Sequence, residues 1–147
     1  EDFQQHVSDV DASVKAAEQR IVQINSELST QKIIQKHCDS YRLCRKVIED
    51  CKSAKSPKAY RTKHQAEYQL HDSLKKELQD LGVTRIPSSN KIQKQIENLE
   101  SEQAATVREK QELQKKQKTL DIIRQNFAAL LNAPEMQVPV SGKELAL

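Results

Sequence analysis

The sequence predicts an all-α chain: an elongated antiparallel coiled-coil hairpin with a short third helix packed at the distal tip. The first observation behind this is compositional. Of 147 residues, 31% are charged and 3% aromatic, with two glycines, four prolines and no tryptophan. A sheet protein needs β-branched and aromatic strands parted by Gly-rich turns, and this composition supplies neither. The second is periodicity: apolar residues return at alternating steps of four and three, the seam of a coiled coil. The third is punctuation, because the breaks between periodic stretches carry helix stop and start residues.

The first helix is laid out by Phe3, Val7, Val10, Val14, Ala17, Ile21, Ile24 and Leu28. Gln31 and Gln35 take the next seam positions, and the apolar stripe moves to Ile34, Cys38, Tyr41, Ile48 and Cys51. That shift is a stutter, a local change of supercoil within one helix. The helix spans about residues 3–54, because Ser56-Pro57 reads as an N-cap followed by a first-turn proline. Helix two covers 57–81 on the stripe Tyr60, His64, Glu67 or Tyr68, His71, Leu74 and Leu78, widened by Leu70 and Leu81. Gly82 is placed as the left-handed residue beyond its end, with Val83 folding back on Leu78.

Thr84-Arg85-Ile86-Pro87 forms an extended link, and Ser88 or Ser89 caps helix three over 88–132. That helix carries Ile92, Ile96 and Leu99, then the polar seam Gln103, Thr106 and Lys110, then Leu113, Gln117, Leu120, Ile123, Phe127 and Leu130. Residues 1–134 are thus one helical domain, and 135–147, without a period, a loosely ordered tail. Helices one and three both have apolar seams toward the chain's ends and polar seams further in. Antiparallel pairing aligns these layers, setting Phe3 by Leu131, Val7 by Phe127, Val14 by Leu120 and Gln31 by Gln103.

Charge is unevenly placed. The chain carries net +3, yet residues 42–63 hold Arg42, Arg45, Lys46, Lys52, Lys55, Lys58, Arg61 and Lys63 against only Glu49 and Asp50. This cluster lies at the turn between helices one and two. Phosphate binding asks only for gathered Lys and Arg, so these eight residues are the candidate nucleic-acid contact; the plainer reading is a solvated tip. Tyr41 and Tyr60 sit within it at stripe positions, which makes them core rather than base-stacking groups.

Other chemistry is sparse. His64 and His71 stand seven apart, whereas a helical metal pair wants three or four. Glu67 adds one ligand near His64, and no further ligands follow, so neither a metal nor another cofactor is expected. Cys38, Cys44 and Cys51 form no CxxC pair and read as small buried hydrophobes in a reduced, cytoplasmic setting. No export signal is visible from Glu1 onward, and no apolar run approaches the roughly 18 residues of a membrane span. No phosphate loop, carboxylate pair or Ser/His/Asp set can be assembled, so the chain is not expected to be an enzyme by itself.

From His37 to about Leu131 the sequence resembles the helical C-terminal region of relaxases, the DNA-nicking mobilisation proteins of conjugative elements in Gram-positive bacteria. The resemblance is carried by Tyr41, Arg45, Val47 and Lys52, by Tyr60, by the segment from His64 to Leu70, and by Leu81-Gly82-Val83-Thr84-Arg85-Ile86-Pro87. The long Lys/Glu/Gln-rich helix then follows, as in that family. Thr84, Gln65 and Pro57 depart from the family's usual basic, acidic and small polar residues. The resemblance implies a parent that cuts one DNA strand with a tyrosine and a histidine-held metal in an upstream domain. None of the histidines or tyrosines here matches that catalytic motif. It also implies an accessory arm that contacts the DNA backbone or docks other mobilisation or secretion proteins. The alternative is a structural coiled coil whose seam over residues 3–28 pairs with another chain.

Overall fold

The computed structural model describes residues 2–132; the tail expected over 135–147 lies outside the described residues. The described residues are all-α: α1 (Asp2–Asp50), a 3-10 turn (Cys51–Ser53), α2 (Pro57–Lys63), α3 (Gln65–Asp80) and α4 (Ser89–Leu131). Two compact units are built from them, residues 21–105 and the unit joining the first twenty residues to those from Thr106 onward.

In the unit of residues 21–105, three helical layers meet. Ile24, Leu28, Ile34, Cys38, Tyr41 and Cys44 of α1 pack with Leu74 and Leu78 of α3 and with Ile92 and Ile96 of α4. Ile24 and Cys38 are fully buried, and Leu78 and Ile92 are each 1% exposed. The shift of the stripe from Leu28 to Ile34 and Cys38 is therefore where a third helix joins the pair. Helix α4 runs antiparallel to α1, with Gln103 bonded to Asn25 and Gln93 to Gln35.

The local stops and starts follow from single residues. Ser56 accepts from the Ala59 N–H with Pro57 behind it, and Ser88 accepts from the Lys91 N–H at 3.2 Å. At the end of α3, Val83 N–H reaches the Leu78 carbonyl at 2.8 Å and Gly82 N–H the Gln79 carbonyl at 2.9 Å. Gly82 has φ +85°, the left-handed turn that glycine adopts without a Cβ penalty. Val83, Ile86 and Leu99 then pack against the core.

Two expectations need correction here. Helix one ends as α-helix at Asp50, its last turn tightening to a 3-10 turn that closes with Ala54 N–H on the Cys51 carbonyl. Helix two is two helices, broken at His64, whose φ −107° and ψ 26° fall outside the α region. Neither glycine nor proline sits there. Hydrogen bonding continues across the break, since the His64 carbonyl accepts from the Glu67 and Tyr68 N–H groups. Contacts on either side hold the bend: Tyr60 is tied to Val47 before it, and His71 stacks on Tyr41 after it.

In the other unit, α1 and α4 are again antiparallel. Gln117 donates to Asp11 at 2.8 Å and Lys110 pairs with Glu18 at 3.5 Å. Val10, Val14, Ala17, Thr106 and Leu120 are buried. The antiparallel sense was expected, but the register differs. In the unit of residues 21–105, Gln103 meets Asn25 rather than Gln31, six residues earlier along α1. The offset follows from the buried layer of Ile34, Cys38, Ile92 and Ile96, which outweighs a match of glutamine to glutamine. In the unit of Asp11 and Gln117, Phe127, Leu130 and Leu131 near the end of α4 are 62%, 74% and 72% exposed.

Candidate nucleic-acid interface

The basic cluster spans the end of α1, the 3-10 turn, the loop and α2, all within one unit. Its shape is set by contacts that fold α2 back on α1. The Tyr60 hydroxyl donates to the Val47 carbonyl at 2.9 Å, in the last turn of α1 where carbonyls run out of helical donors. The Cys51 thiol approaches the Pro57 carbonyl at 3.6 Å. The neighbouring Cys51 thiol, with burial, pushes the Tyr68 phenol upward. Burial also raises Tyr60, reinforced by Asp50. The backbone beside Lys46, Lys52 and Lys58 is thereby pinned into one turn, since each lysine adjoins a bonded residue.

The eight expected residues divide into two groups. Arg42 bonds Asp39 and the Pro87 carbonyl, fastening the end of the α3–α4 link to α1. Arg45 pairs with Glu49, and the Arg61 guanidinium lies 4.9 Å over the Tyr68 ring. These three arginines are engaged. Lys46, Lys52, Lys55, Lys58 and Lys63 are exposed, and their ammonium groups make no ion pair or hydrogen bond among the described residues.

Aromatic groups in and around the cluster are occupied. Tyr41 is 9% exposed and stacks on His71 at 4.6 Å, while the Tyr60 ring faces His64 at 4.3 Å. His64 sits 3.5 Å from Glu67, whereas His71 turns to Asp72 at 3.2 Å and His37 to Glu77 at 3.1 Å. The structure thus separates His64 and His71 onto different partners. Among the described residues no group of three or more His, Cys, Asp or Glu could hold a metal ion. Cys38 and Cys44 are buried, and that burial raises both thiols.

The other unit has a recess of about 860 Å³ between Phe3, Val7 and Asp11 of α1 and Ile123, Arg124 and Phe127 of α4. Its charged walls are taken, Asp11 by Gln117 and Arg124 by Asp121. Apolar surface dominates what remains, and sequence reasoning, which sets Val7 by Phe127, missed this recess. Among the described residues no helix is long and apolar enough to cross a membrane. Comparison with protein-family models, with curated proteins and with solved structures finds no match.

Proposed function

We propose that this chain is a non-catalytic accessory helical domain of a DNA-processing protein of the relaxase type, contacting the DNA backbone through its basic turn. The observation that carries this reading is the set of five exposed lysines without partners among the described residues, on a turn pinned by Tyr60 and Cys51. Unpaired ammonium groups are free to displace counterions from phosphates, the main source of DNA affinity. The resemblance supports the same reading, since its residues are fold-determining here: Tyr41 stacks on His71, Tyr60 closes the turn, and Gly82 ends α3. A reduced cytoplasmic setting, in which Cys38, Cys44 and Cys51 stay thiols, belongs to this proposal.

Binding of the full chain to labelled DNA at rising salt tests it. Affinity should fall steeply with salt, and Lys52, Lys55, Lys58 and Lys63 changed together to Glu should abolish binding. Undiminished binding by that variant would remove the turn as the contact.

One observation favours a second reading, self-association through a coiled coil. The recess beside Phe3 and Val7 and the exposed Phe127, Leu130 and Leu131 form an apolar end on one unit. Light scattering decides: a dimer lost on Phe127→Asp supports it, and a monomer at all concentrations removes it.

A further inference from the structure

We infer that the turn over residues 42–63 contacts double-stranded DNA through phosphates alone, without reading base sequence and without favouring unpaired strands. This rests on the nucleic-acid reading above and goes beyond it by naming the form of DNA.

Base-edge reading in the major groove is done chiefly by Arg or Lys on guanine, by Asn or Gln on adenine, and by Ser or Thr on either. Residues 42–63 contain no Asn or Gln. The three arginines are held by Asp39 and Pro87, by Glu49 and by the Tyr68 ring. Thr62 donates to the Lys58 carbonyl and Ser56 caps α2, which leaves Ser53 as the one exposed hydroxyl of the turn without such a role. The remaining charge is five lysines, each a flexible, compact point charge without the fixed fork that gives arginine its geometric selectivity. Lysines spent on phosphates position a protein on DNA without specifying sequence.

Surfaces that hold single strands add exposed aromatic faces on which bases stack, worth about 1–3 kcal/mol per base. Here Tyr41 is buried against His71, Tyr60 faces His64, and Tyr68 lies under Arg61. No stacking platform offsets the lower charge of a single strand. A duplex presents one phosphate per about 1.7 Å of axis, against one per about 3.4 Å for each strand. Five lysines confined to residues 46–63 therefore meet more phosphates on a duplex, and each releases more counterion.

The experiment is fluorescence anisotropy of the full chain with two duplexes of equal length, one GC-rich and one AT-rich, and with their separate strands. Expected are duplex affinities within about threefold of each other and weaker binding of either strand. The log–log salt slope should be at most about −4.5, falling by about 0.9 in magnitude for each Lys→Gln change, equally on both duplexes. Arg42→Gln should lower thermal stability and leave the slope unchanged. A tenfold preference between duplexes, or tighter binding to a single strand, would overturn the inference while leaving DNA contact intact. No binding to any of these six DNAs would overturn the functional proposal itself, and this inference with it.

Discussion

The hydroxyl of Tyr60 donates to the carbonyl of Val47 at 2.9 Å, joining two residues thirteen apart across a helix end. This bond gives the last turn of α1 a donor from outside the helix and holds α2 against it. Tyr60→Phe keeps the ring against His64 and removes only the donor. Urea unfolding should show a loss of about 0.5–1.5 kcal/mol, the net worth of a typical hydrogen bond, with helicity preserved. An unchanged midpoint would mean that the turn is held by other contacts.

Burial separates Leu78, which lies on its helix's apolar stripe, from Leu43, which lies off the stripe of α1. Leu78 is 1% exposed and packs among three helices, whereas Leu43 is 68% exposed. Leu78→Ala should cost about 2–5 kcal/mol, the transfer loss plus the cavity left behind. Leu43→Ala should stay within about 0.5 kcal/mol. Chemical denaturation of both variants checks the contrast, and equal costs would contradict the packing described.

Thiol ionisation makes stability depend on pH on the alkaline side. Burial raises Cys38 above the ordinary value of 9.0, with Arg42 opposing and Asp39 reinforcing, and burial with Glu67 raises Cys44. The folded state therefore holds these protons more tightly than the unfolded chain. Their contribution is fully present below about pH 9, and is lost as pH rises through the raised values. Tyr60 and Tyr68, also raised, act with the same sign. The urea midpoint should stay flat from about pH 7 to 8 and decline above 9. The double change Cys38→Ala, Cys44→Ala should flatten part of that decline, and a midpoint that rises above pH 9 would contradict it.

Much of the fold is legible in the chain because its signals are local. The four–three stripe from Phe3 to Leu28, Ser56-Pro57, Gly82 and Ser88 each act within a turn or two. The kink at His64 is not legible, since it comes from Tyr60 reaching Val47 and His71 reaching Tyr41. Register is not legible, because seam glutamines are interchangeable by type; Gln103 finds Asn25, which lies off the stripe. At the candidate site the cluster itself is plain in the sequence. Helix spacing alone pairs Arg42 with Asp39 and Arg45 with Glu49. Pro87 and Tyr68 reach Arg42 and Arg61 only in the folded chain, which leaves the lysines as the groups without partners among the described residues.

The antiparallel pairing of α1 with α4 in its observed register underlies the whole account, and thiol cross-linking tests it most directly. In a background with Cys38, Cys44 and Cys51 changed to Ala, Asn25→Cys with Gln103→Cys should give efficient cross-linking within one chain by a short reagent. Gln31→Cys with Gln103→Cys, about two turns further along α1, should give little. Cross-linking of the second pair in place of the first, or only between chains, would contradict the register and the structure built on it.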